Sequence, residues 1–111
     1  GKPKCIVHGA GGTLLQHIKE LGLHSDIGPE DKLFFYTTCG WMMWNWTVSA
    51  LALGATLILY EGSPAYPTPN RLFKIIDDED VTVFGTSAKF ISATEKAGVK
   101  PSETFDLSHL R

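Results

Sequence analysis

Cysteine is scarce in this sequence, and so is any surplus of one charge. Cys5 and Cys39 are the only thiols among 111 residues, too few for a disulfide framework and spaced in no metal-binding pattern. That usage fits a reducing compartment and a cytosolic type of protein. Lys and Arg number 10 against 12 Asp and Glu, a net charge of -2, so there is no basic footprint for nucleic acid or an anionic membrane. No apolar run is long enough to span a bilayer, and the N-terminus has neither the charged n-region nor the apolar h-region of a signal peptide. An initiating methionine is lacking too. The chain opens at Gly1-Lys2-Pro3-Lys4 and closes on Asp106-Leu107-Ser108-His109-Leu110-Arg111, a short capped turn that should feed another strand. The expectation is a piece of a larger domain, without a complete active site. Asp77-Asp78-Glu79-Asp80 comes nearest to a metal-binding cluster, but consecutive helix residues point in different directions. It reads as a solvated helix end, and no metal site is expected.

What is present is the material of a folded α/β unit, with 43% hydrophobic and 20% charged residues. Cys5-Ile6-Val7 is a short β-type run ending at His8-Gly9-Ala10-Gly11-Gly12, where the glycines permit close backbone approach. Thr13 can then cap a helix presenting Leu14, Leu15, Ile18 and Leu21, with Gly22 as its stop. Lys32–Thr38 is the next predicted strand; its unbroken apolar centre, Leu33–Tyr36, implies burial on both faces, as in a parallel sheet. A helical pattern through Val48, Leu51 and Ala52 stops at Gly54, and Ala55–Tyr60 is another buried strand. The loop Glu61–Pro69 is stiffened by prolines, and Asn70 can cap a helix presenting Leu72, Phe73 and Ile76. Val81–Gly85 is the last strand, after which Thr86-Ser87 leads into a helix closed by Gly98. Helical crossovers between strands make an α/β architecture: a parallel sheet of about four strands with right-handed connections. Ligands in such sheets sit at the carboxyl ends of the strands, here His8–Gly12, Thr37–Trp46, Glu61–Ala65 and Gly85–Ser87.

The most distinctive stretch is Phe34–Trp46, FFYTTCGWMMWNW, a strand-type run that breaks at Gly40 and passes into a helical run of Trp and Met. Such residues can fill a core between helix and sheet. Three indoles so close together, each with an N–H that needs a partner, fit the wall of a shaped cavity better. Lys4, after Pro3 on a Gly-containing segment, can reach a phosphate as a point charge. His8 at a strand end can act as acid, base or donor, whereas His17, His24 and His109 have no evident partners and are expected to be exposed.

Taken together, Gly1-Lys2-Pro3-Lys4, Ile6-Val7-His8 and Gly11-Gly12 resemble the end of the phosphate loop of the adenylate-forming enzymes, the acyl-CoA synthetases. Cys5 stands where many members have Gly. Thr38-Cys39-Gly40-Trp41-Met42-Met43-Trp44-Asn45-Trp46, with Leu59-Tyr60-Glu61-Gly62-Ser63-Pro64, is similar to those members of the family that take acetoacetate. The resemblance covers the whole chain and implies a partial AMP-binding domain over residues 1–111, a portion of the large N-terminal domain, with the C-terminal domain absent. It implies a two-step ligation with ATP, Mg2+ and coenzyme A. A carboxylate attacks the α-phosphate to give an acyl-adenylate, and the thiol of coenzyme A then displaces AMP. Gly1 and Lys4 are thereby assigned to the ATP phosphates. Trp41, Met42, Met43, Trp44 and Asn45 are assigned to the acyl and coenzyme A pocket, and His8, Gly85, Thr86 and Ser87 to the neighbourhood of nucleotide and acyl group. Asn45 or the Trp44 indole could donate to a 3-keto oxygen, with Met42 and Met43 limiting chain length. A contact to coenzyme A made by an Asn in related acetate enzymes falls here on Ala65, so it is not carried over.

Other readings compete. A synthetase for acetate or propionate keeps the chemistry and changes the acid. A non-catalytic α/β binding module would keep the fold alone. A dinucleotide oxidoreductase would rest on Gly9–Gly12, but His8-Gly9-Ala10-Gly11-Gly12 is not G-x-G-x-x-G, and no acidic residue ends the Lys32–Thr38 strand to bind a ribose.

Overall fold

Alternation of helix and strand carries through into the structure, a computed structural model that describes residues 2–111. Gly1, expected at the close of a phosphate loop, lies outside the described residues. Helix α1 (Ala10–Ile18) runs directly into a π-helical turn (Lys19–His24), followed by strand β1 (Lys32–Phe35). Helix α2 (Met42–Ser49) tightens into a 3-10 turn (Ala50–Leu53) ahead of β2 (Thr56–Leu57). Then come α3 (Arg71–Asp78), β3 (Val83–Gly85), α4 (Ala88–Lys96) and a last 3-10 turn (Pro101–Glu103).

The strands lie in the order β2-β1-β3, all parallel. Leu33 stands opposite both Leu57 and Val83, Phe34 opposite Phe84, and Phe35 opposite Gly85. Because successive strand side chains face opposite ways, Leu33 and Phe34 seed two separate cores. Leu33 packs with Leu21, Ile27, Ala50 and Ala55 beneath α1 and α2, and Phe34 packs with Leu72, Ile75, Ile76 and Val81 beneath α3. Both are fully buried, so the continuous apolar run has the two-sided burial expected of it.

Several boundaries differ from the sequence expectation. The sheet described has three strands, because Cys5–Val7 pairs with nothing: Ile6 is 78% and Val7 93% exposed. A β-type run becomes a strand only with an edge to pair against, and this one joins neither edge of the three-stranded sheet. Helix α1 begins before Thr13, with Gly9 at the N-cap position and Gly11-Gly12 inside the first turns. Gly22 does not stop it, since the π turn carries the chain on to His24. Asn70 occupies the N-cap position of α3 but makes no capping bond. Gly54 does end its helix, in the left-handed conformation (φ 78°) that a Cβ would disfavour.

The amino-terminal edge of the sheet is closed by one carboxylate. Asp31 accepts from Arg111 Nε (3.1 Å) and Nη2 (2.7 Å), from Thr82 Oγ1 (2.7 Å) and from the Gly28 amide (2.8 Å). This staple ties the last residue of the chain to the start of β1, at the end of the sheet away from the candidate site.

Candidate functional site

Pairing of Phe35 with Gly85 brings the carboxyl ends of β1 and β3 side by side, and the Tyr36 amide extends the ladder by donating to the Gly85 carbonyl (2.9 Å). The chain leaving β1 then turns through Thr38, whose carbonyl accepts from the Trp41 amide (3.1 Å), and α2 starts at Met42. A cleft of about 430 Å³ opens at this strand end, lined by Tyr36, Thr37, Thr38, Trp41, Met43, Thr86 and Ser87 over the ring of Phe35. Gly85 is obligatory beneath it. A Cβ there would stand 2.1 Å from Phe35 Cδ2 and 2.8 Å from Cγ, so the whole ring would have to move. The Thr86 hydroxyl is buried without a hydrogen-bond partner. Ser87 has a structural task as well: its Oγ accepts from the Phe90 amide (3.1 Å) and caps α4.

On the other side of the first turn of α2 lies a second cleft, of about 380 Å³, between α1 and α2. His8, Gly9, Gly12, Thr13, Gln16, His17, Met42 and Asn45 line it. At Gly9 and Gly12 an added Cβ would meet nothing within 4 Å, so the missing side chains leave open space on this wall. The wall is cross-linked behind its surface. Gln16 Nε2 donates to Glu20 Oε1, and Glu20 Oε2 accepts from Trp46 Nε1 (3.0 Å). Trp46 also meets Phe35 edge-on at 6.0 Å and packs against the core under α1.

The Trp/Met run therefore does three jobs rather than one. Trp41 and Met43 face the strand-end cleft, while Met42 and Asn45, three apart on the helix, face the α1–α2 cleft. Trp46 is structural, with its indole N–H satisfied inside the protein. Trp44 is half-buried and lines neither cleft. His8 joins Met42 and Asn45, and Thr86 and Ser87 join Trp41 and Met43; Gly85 lies under the latter group. Lys4 is exposed on the segment before α1 and lines neither cleft.

His17 departs from the exposed position expected for it. It is 8% exposed rather than open to solvent, and its Nδ1 lies 2.9 Å from Ser49 Oγ. Its position four residues before the buried Leu21, on the same helix face, was the available signal. Magnesium finds no cage in this stretch: among the described residues no three His, Cys, Asp or Glu side chains converge as a metal site. No helix is long and apolar enough to cross a membrane.

A family model described as AMP-binding enzyme matches residues 1–111. The acetoacetyl-coenzyme A synthetase of Rhizobium meliloti (strain 1021) is 59% identical over 111 residues, covering 100% of this chain and 17% of that protein. A malonamoyl-CoA synthetase of Penicillium aethiopicum is 52% identical over 106 residues, 86% of this chain and 15% of that protein. Among solved structures, an acetoacetyl-CoA synthetase from Streptomyces lividans superposes with a TM-score of 0.95 at 49% identity, over 100% of this chain and 17% of that one. The chain thus spans about a sixth of the length of these relatives.

Proposed function

The chain belongs to the AMP-binding enzyme family, and from that premise we propose that the whole protein joins acetoacetate to coenzyme A with ATP, through an acyl-adenylate. The observation that carries this reading is the 59% identity to an acetoacetyl-coenzyme A synthetase along all 111 residues, the Trp/Met segment included.

In the first step a carboxylate oxygen attacks the α-phosphorus of ATP, and the bond to the leaving pyrophosphate breaks. In the second, the thiolate sulfur of coenzyme A attacks the acyl carbon and AMP departs. Neither step needs a protein nucleophile, so positioning and neutralisation of phosphate charge carry the rate. Lys4, exposed and on an extended segment, is free to follow the β- and γ-phosphates together with the backbone at Gly1. Magnesium would be held through the nucleotide phosphates and would supply charge neutralisation there. Asn45 and Met42 hold the acid, the first donating to its 3-keto oxygen and the second bounding its length. Trp41 and Met43 border the approach of the thiol. Thr86, whose hydroxyl lacks a protein partner, donates to the reacting nucleotide–acyl group, close to Ser87 and Gly85; His8 adds a donor from the α1 side. The two exposed free thiols fit a reaction in the reducing cytosol.

The test is pyrophosphate release by the full-length protein over a panel of acetoacetate, acetate, propionate, butyrate and malonamate. Malonamate is included because a relative that is 52% identical is named for it. Acetoacetate is expected to give the highest kcat/KM. A maximum on acetate or propionate would reassign the acid within the same chemistry, and no acid-dependent release at all would leave the binding-module reading.

A further inference from the structure

We propose that His17 is a positioning residue of the acid subsite: through Ser49 it fixes α1 against α2 and so sets the shape of the cleft that holds Asn45 and Met42. The inference rests on placing the acid in the α1–α2 cleft, as above.

Three observations carry it. First, His17 is the buried side chain of α1 itself, 8% exposed, and it lines the cleft. Second, among the described residues its side-chain hydrogen bond crosses from helix to helix, Nδ1 to Ser49 Oγ at 2.9 Å. Third, the Ser49 hydroxyl is itself committed, donating to the Asn45 carbonyl at 3.0 Å. A hydroxyl has a single proton. If Ser49 gives it to Asn45, then Ser49 must accept from His17, and the imidazole carries its hydrogen on Nδ1. The result is a directed relay from α1 to the backbone of the residue proposed to hold the keto oxygen. The neighbouring turn of α1 is tied separately, through Gln16, Glu20 and Trp46. Helix α1 and the turn after it are thus pinned to α2 at two points, of which the His17–Ser49 bond is the one made across the helices by a residue that lines the cleft.

The glycines give this clamp its consequence. With open space at Gly9 and Gly12, nothing on that part of α1 limits the cleft sterically. Its width depends on how far α1 stands from α2, which the His17–Ser49 bond helps to set. Loosening the clamp should therefore change which acids fit and how tightly, while leaving the nucleotide side of α2 alone.

The experiment compares His17→Ala, His17→Phe, His17→Asn and Ser49→Ala in the full-length protein, with KM for acid and for ATP measured separately. His17→Ala and His17→Phe are expected to raise KM for acetoacetate about tenfold, the scale of one lost buried hydrogen bond, with KM for ATP unchanged. The preference for four-carbon over six-carbon acids should fall with it. Asn offers an N–H near the place of Nδ1, so His17→Asn should recover most of the loss. His17→Ala combined with Ser49→Ala should be no worse than Ser49→Ala alone, because Ser49→Ala already removes the His17 bond together with the one to the Asn45 carbonyl. Equal rises in KM for acid and ATP, additive effects, or no recovery by Asn would overturn the positioning role, and a thermal melt of each variant shows whether folding is the cause. Wild-type protein inactive on every short acid would instead bring down the proposed function.

Discussion

At the scale of single residues, the two clefts assign different work to neighbours in sequence. Asn45 faces the α1–α2 cleft with Met42, and a donor matched to a keto oxygen discriminates strongly because a substrate without that oxygen leaves it unpaired. Asn45→Ala should lower kcat/KM for acetoacetate roughly tenfold more than for butyrate; equal loss on both acids would remove Asn45 from the keto site. Gly85 makes a purely steric prediction. With Phe35 Cδ2 2.1 Å from the place of a Cβ, Gly85→Ala should cost about 1–3 kcal/mol, the range for overpacking a fitted site. A urea titration measures it. Ser87 has a capping role that can be separated from any contact with ligand. Ser87→Ala should lose about 1 kcal/mol and Ser87→Gly only a few tenths, since Gly is a tolerable N-cap. No loss in Ser87→Ala would mean that the bond to the Phe90 amide contributes nothing.

At the scale of elements, periodicity made the sheet legible and its partners made the limits illegible. Leu33 and Phe34 could be read as buried on both faces because a parallel strand between crossovers has no wet side. Leu72 and Ile76 fell on one side of α3, where they are buried. Cys5–Val7 had the composition of a strand yet pairs with no edge, and pairing is a property of two segments, not one. The start of α1 was hidden by its glycines. Gly11 and Gly12 have poor intrinsic helix preference, but the Thr13 amide donates to the Gly9 carbonyl (3.0 Å) and the helix forms through them. The candidate site was legible as a list and not as an arrangement. The Trp/Met run announced a cavity wall, but only the helical phase of α2 shows that Trp41 and Met43 turn one way, Met42 and Asn45 the other, with Trp46 pointing inward to Glu20. His17 escaped because its partner, Ser49, is 32 residues away.

At the scale of the whole molecule, ends remote in sequence are joined across the amino-terminal edge of the sheet. Burial pushes the Asp31 carboxyl up, but hydrogen bonds from Arg111, the Gly28 amide and Thr82, with the charge of Arg111, more than offset this and hold it below the ordinary carboxylate range. A group whose folded pKa is depressed stabilises the fold fully above its unfolded value, about 3.9 for Asp, and the contribution is lost as pH falls through the lower folded value. Asp31→Asn should cost about 2 kcal/mol at neutral pH, less than a fully buried pair because Arg111 is 42% exposed. The gap between wild type and variant, read from urea unfolding, should close below the ordinary carboxylate range. A gap independent of pH would assign the effect to packing. At the opposite edge, the parallel register sets the ends of β1 and β3 side by side beneath α2, and the chemistry proposed for the protein depends on that placement. ATP–pyrophosphate exchange in the full-length protein, with coenzyme A withheld, tests it most directly. Exchange that requires acetoacetate and proceeds without the thiol is the expected result; no exchange until coenzyme A is added, or exchange driven equally by acetate, would contradict it.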